Sequence, residues 1–107
     1  MEHLRFRFEG GRPAGSAASA RIVGVVASGN LEVLIAPAPP ETACTVEIST
    51  AAKGFGTIWE AVLHDFFERH RQGGIRISIN DAGATPAIVA LRLDQAIEDF
   101  LHAGSAR

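Results

Sequence analysis

Residues 43–80, ACTVEISTAAKGFGTIWEAVLHDFFERHRQGGIRISIN, decide the fold. Cys44, Val46 and Ile48 alternate with Thr45, Glu47 and Ser49, the period-two pattern of a half-buried strand. Lys53-Gly54-Phe55-Gly56 then reads as a loop, and Thr57 as a helix N-cap with Glu60 at the matching third position. Ile58, Trp59, Val62, Leu63, Phe66 and Phe67 recur at three and four residues, which predicts an amphipathic helix. Gly73-Gly74 is expected to end it. Ile75, Ile77 and Ile79, alternating with Arg76, Ser78 and Asn80, predict a second strand. A strand, a helix and a strand in this order call for parallel pairing with a right-handed crossover.

The pattern extends in both directions. Upstream, His3–Glu9 alternates apolar and charged residues as a strand does, and GGRPAGSAA (10–18) is a loop that no regular element would choose. Residues 19–36 predict a β-hairpin, with Gly29 and Asn30 at a tight turn that calls for positive φ. APAPPET should then break the ladder, because Pro37, Pro39 and Pro40 carry no amide hydrogen. Downstream, Asp81-Ala82-Gly83-Ala84 is a turn in which Asp81 bonds local amides and Gly83 is left-handed. Thr85 caps a final helix with Pro86 at its first position. Val89, Leu93, Ala96, Ile97, Phe100 and Leu101 form that helix's apolar face. The expected order is β-β-β-β-α-β-α, an α+β fold: a two-layer α/β sandwich with a mixed sheet covered by two helices. Residues 1–103 should make one domain, with 104–107 a frayed tail.

Composition narrows the function classes. A net charge of −2 with no basic run gives no reason to expect nucleic acid as a partner. No apolar stretch reaches membrane-spanning length, and MEHLRFRFEG lacks a signal peptide's apolar segment, so a cytoplasmic protein is expected. The single Cys44 excludes an intrachain disulfide and a multi-cysteine zinc site.

Isolated polar residues carry little chemistry by themselves. His64 and Glu68 are four apart on the helix, with His70 on another face, and H-E-x-x-H is absent, so a solvated face is expected. Cys44 reads as a small buried residue. His3 and His102 carry no motif, and Trp59, Phe66 and Phe67 are explained as core. Gly54-Phe55-Gly56 is too short for a nucleotide fingerprint, although an exposed Phe55 between glycines is suited to contacting a partner. A helix N-terminus after Asp81-Ala82-Gly83-Ala84-Thr85 offers free amides to an anion, yet turn geometry accounts for the same residues. Ser28, in VVASGNLEVLI (25–35), has neither a triad order nor a nucleophile elbow around it.

Two blocks, Ser28-Gly29-Asn30-Leu31-Glu32-Val33-Leu34 and Asn80-Asp81-Ala82-Gly83-Ala84-Thr85-Pro86, with GFGTIWEAVL between them, resemble the acyl carrier (delta) subunits of biotin-independent malonate decarboxylases. The likeness spans nearly the whole chain; the citrate lyase acyl carrier proteins are more distantly similar. The resemblance implies a malonate-catabolic phosphoprotein carrying 2'-(5''-phosphoribosyl)-3'-dephospho-CoA, a phosphopantetheine-like arm, through a phosphodiester on Ser28. Beside such an anchor, Gly29 is expected to leave room for the donor, and Asp81 and Thr85 are expected as secondary site residues. Family turns usually read Ser-Gly-Asp, and Asn30 here replaces the acid, which suits the turn but removes a charge.

The implied partners are an alpha subunit (acetyl/malonyl carrier transferase), beta and gamma decarboxylase subunits, and a prosthetic-group transferase. The implied cycle exchanges acetyl for malonyl on the arm's thiol, releasing acetate, and then releases carbon dioxide. No side chain of a carrier need act as acid or base, so the subunit itself is expected to be non-catalytic. Competing readings are a citrate-lyase-type carrier, an unmodified interaction module, and a small hydrolase or isomerase using Asp81, Cys44 or His64. If Ser28 is the anchor, the 81–85 turn is expected near its tip.

Overall fold

The computed structural model describes residues 1–13, 23–28 and 30–105. The order is β1 (Glu2–Phe8), β2 (Val23–Ser28), β3 (Leu31–Pro37), β4 (Cys44–Thr50), α1 (Gly56–His70), β5 (Ile75–Asp81) and α2 (Pro86–Ser105). This is the expected α+β order. The five strands form one mixed sheet, β1-β4-β5-β3-β2, in which β4 and β5 run parallel while β1–β4, β3–β5 and β2–β3 are antiparallel. The crossover through α1 therefore joins two adjacent parallel strands at the centre of the sheet.

Period-two alternation sends one set of side chains to the helices. Val33, Ile35, Val46, Ile77, Leu63, Leu93, Ala96, Ile97 and Phe100 are fully buried in a single cluster. The alternate residues of β5 and β3, including Arg76, Asn80 and Glu32, are exposed on the other face. One apolar face and two apolar helices account for the two-layer sandwich. Each of the large aliphatic or aromatic side chains in that cluster contributes about 1.5–3 kcal/mol through burial.

Several local expectations are corrected. Thr57 is not the N-cap of α1. Helix geometry starts at Gly56, because the Trp59 amide already bonds the Phe55 carbonyl at 3.0 Å, and no side chain caps this end. Glycine does not end α1 either: Arg71 adopts the left-handed conformation (φ 51°), its amide bonding the Phe67 carbonyl at 2.7 Å. Its guanidinium lies over the Phe67 ring and donates to both carboxylate oxygens of Glu68, which holds the strained cap in place. Gly73 has a different duty. A Cβ there would stand 2.6 Å from the Glu41 carbonyl oxygen, so only glycine permits this chain crossing.

Pro37 does not break the ladder but closes β3, opposite Ile75, and the next amide, Ala38, bonds the Gly74 carbonyl at 2.8 Å. A terminal strand residue needs no amide hydrogen of its own. Ile58 and Leu101, expected in the core, are 44% and 38% exposed, since each lies at the margin of its helix's apolar stripe. The start of the 10–18 loop is tied down: Arg12 bridges Gln72 and exchanges backbone bonds with Arg71 and Gly73. Of the expected tail, Gly104 and Ser105 are helical. Positions 14–22, Gly29 and 106–107, which include part of the expected hairpin and loop, lie outside the described residues.

Candidate functional site

The site is built at one end of the sheet. Register places Ser28 opposite Leu31, Leu31 opposite Asp81, and Asp81 opposite Thr50. Four strands thus finish or begin along one line, with the Ser28 backbone at its outer end. Exposed Asn30 follows, and its carbonyl accepts the Ala82 amide at 2.9 Å. The expected proximity of the 28–31 tip and the 81–85 turn is met, because an antiparallel β3–β5 pair must bring the start of one to the end of the other.

Asp81 is 5% exposed and fully occupied. One carboxylate oxygen accepts the Thr50 hydroxyl at 2.8 Å; the other accepts the Gly83 and Ala84 amides at 3.2 and 2.8 Å. Gly83 adopts φ 118°, a conformation open to glycine at little cost. Thr85 caps α2 as expected, its carbonyl accepting the Val89 amide at 3.0 Å and its hydroxyl the Ile88 amide at 3.3 Å. Asp81 and Thr85 therefore shape the turn beside the Ser28 tip, with both Asp81 carboxylate oxygens spent on the fold. Thr50 was not foreseen. Its partnership depends on the parallel register, which no local pattern reveals.

Between this turn and the first turn of α1 lies a pocket of about 290 Å³, lined by Phe55, Ile58, Trp59, Val62, Ala84 and Val89 among others. Trp59, read as core, forms its floor at 6% exposure, whereas Phe55 is 46% exposed, as a glycine-flanked loop residue suited to contact should be. The concavity was illegible in the sequence, since it depends on where the two helix N-termini stand relative to the sheet end.

Other candidates lead elsewhere. His64 meets Glu68 at 3.9 Å in the open, while His70 turns towards α2 and bonds Asp94 at 3.0 Å. Among the described residues, no group of three or more His, Cys, Asp or Glu side chains converges as a metal site would require. No helix among them is long and apolar enough to cross a membrane. Cys44 is 1% exposed, and burial pushes its thiol from the ordinary 9.0 up to about 12.

A folded thiol kept neutral where an unfolded one ionises contributes stability that is complete below pH 9. That contribution is lost as pH rises from 9 towards 12, at roughly 1 kcal/mol per pH unit. Native protein lacking any attached thiol should not react with Ellman's reagent at pH 8 until urea unfolds it. Cys44→Ala should flatten the alkaline fall in stability measured by denaturation. Prompt reaction of the native protein, or an unchanged alkaline slope, contradicts the buried thiol.

Comparison with known proteins adds the family. Residues 18–100, which include both Ser28 and the Asp81 turn, match the family model described as malonate decarboxylase delta subunit (MdcD). A malonate decarboxylase acyl carrier protein of Stenotrophomonas maltophilia (strain K279a) is 58% identical over 107 residues, covering all of both chains. One from Burkholderia cepacia is 62% identical over 96 residues, 90% of this chain and 87% of its own. Among solved structures, a chain from the crystal structure of a Pseudomonas malonate decarboxylase hetero-tetramer in complex with malonate superposes with a TM-score of 0.76. It is 35% identical, with 94% of this chain and 99% of that one covered. The chain belongs to the malonate decarboxylase delta-subunit, or acyl carrier protein, family.

Proposed function

We propose that this domain is the non-catalytic acyl carrier subunit of a cytoplasmic malonate decarboxylase, with 2'-(5''-phosphoribosyl)-3'-dephospho-CoA attached to Ser28 through a phosphodiester. The observation that carries the reading is the family match over 18–100 together with relatives aligned along the full chain. A single domain spanning 1–103 suffices for the task.

The residues present fit such a group. The Ser28 backbone ends a strand, and the neighbouring Ala82 and Gly83 are small and exposed, so a bulky donor meets no large side chain from the adjoining turn. Ser28 would hold the arm, with Asp81 and Thr85 fixing the turn against which the tip is braced. When bound, the arm supplies a terminal thiol that carries acetyl and malonyl groups as thioesters. Ladder bonds from β2 to β3 and from β3 to β5 hold the anchor in a fixed direction relative to the domain. Tethering makes delivery to partner subunits intramolecular, at an effective concentration in the millimolar range. The hetero-tetramer named for the Pseudomonas structure supports partners of this kind, which we assign as alpha, beta and gamma subunits and, during maturation, a prosthetic-group transferase.

Intact-mass analysis of protein isolated from its native host, followed by peptide mapping, tests the assignment. A coenzyme-A-sized adduct on the peptide containing Ser28 is expected. An adduct on Ser16 or Ser49, or none in protein co-purified with active partners, sinks it.

A further inference from the structure

We propose that the pocket between the 81–86 turn and the first turn of α1 is a resting site for the acetyl-thioester end of the arm, a reading that rests on the carrier assignment. Placement is the first argument. Ser28 and Asp81 are separated by two strand spacings, about 10 Å, and Asp81 lines the pocket. An arm built of ribosyl, nucleotide, diphosphate and pantetheine units in series is far longer than this gap, so its end can fold back.

Chemistry is the second. The walls are Phe55, Ile58, Trp59, Val62, Ala84 and Val89, and the polar atoms of Asp81 are already bonded to Thr50, Gly83 and Ala84. Such walls suit a neutral methyl thioester. A malonyl end would bring its carboxylate into an apolar site beside another carboxylate, without a cation among the lining residues. The pocket therefore distinguishes the two loads, sheltering acetyl and leaving malonyl outside for a partner.

Affinity requirements are the third argument. At about 290 Å³ the pocket is near the roughly 300 Å³ lower bound for ligand sites, and a free ligand should bind it weakly. A tether supplying millimolar effective concentration makes a millimolar dissociation constant sufficient for substantial occupancy.

Trp59, the chain's one tryptophan, reports on the site directly. Titrating S-acetyl-pantetheine into unmodified protein should change its fluorescence saturably, with half-saturation in the millimolar range. S-malonyl-pantetheine should bind about tenfold more weakly or not at all. Ile58→Asp should abolish the acetyl response with circular dichroism unchanged, because Ile58 is partly exposed and an acid in a helix's first turn is favourable. Ala84→Leu, which fills the pocket, should do the same. No saturable response to the acetyl probe, equal response to both probes, or a response surviving both variants overturns the proposal. Because the probes are soluble and the protein unmodified, these results are independent of where the arm is attached. An adduct away from Ser28 would defeat the carrier anchor instead.

Discussion

Ser28→Ala is expected to eliminate the covalent adduct and, with it, malonate-dependent carbon dioxide release by the reconstituted complex. The expected loss is total rather than graded, because no other side chain of this subunit is assigned a chemical step. The substitution removes one hydroxyl and retains the backbone amide and carbonyl that place residue 28 opposite Leu31. Thermal denaturation should therefore move little, and circular dichroism should overlay. The variant should also still co-purify with its partner subunits, since docking belongs to the folded surface. Two measurements judge the outcome together. Retained adduct mass in the variant would move the anchor elsewhere, whereas lost mass with retained turnover would remove the arm from the reaction.

Ser28 also marks where local physics stops being informative. Its strand was legible from the β-branched run Val23, Val25 and Val26, but a serine beside an expected turn looks the same with or without a cargo. The assignment came through likeness to a family and not from any constellation of groups. The core shows the opposite case. Alternating isoleucines in β5 and the three-and-four spacing in α1 state their own burial, because periodicity is a local property read within a few residues. Ile58 followed that spacing and still emerged exposed, since it lies at the margin of the stripe while Trp59, in the same turn, is buried. Thr57 failed as a cap because Phe55 and Trp59 closed the first turn two residues early. Concavities such as the pocket are set by how elements meet, and the sequence pattern describes only the elements.

Thr50 and Asp81 supply the clearest instance of a nonlocal bond, and its removal should have the largest effect on stability of any polar substitution at the site. Asp81→Ala withdraws three hydrogen bonds at once and leaves the Gly83 and Ala84 amides without their acceptor. Hydrogen bonds to a charged group contribute about 1.5–3 kcal/mol each before re-solvation, and these amides are only part-buried, so water recovers some of the loss. A net destabilisation of about 3 kcal/mol is expected by urea denaturation at neutral pH.

Thr50→Val should cost less, about 1–2 kcal/mol: it removes the donor to Asp81 and the acceptor of the Ala52 amide, but that amide is only part-buried and open to water, and volume is preserved at a fully buried position. The two substitutions should not add, and a double-mutant cycle should return a coupling of about 1 kcal/mol. Amide hydrogen exchange provides an independent reading. Protection of the Gly83 and Ala84 amides should fall in Asp81→Ala by more than the global stability change explains, while amides at the centre of β5 follow the global change. Additive costs, or a loss below about 1 kcal/mol for Asp81→Ala, would mean that the turn is held by its backbone bonds alone. In that case Asp81 would be free to serve another role at the tip. If the larger loss is found, Asp81 is the residue that locks the 81–85 turn against β4 and so keeps the brace beside Ser28 in place.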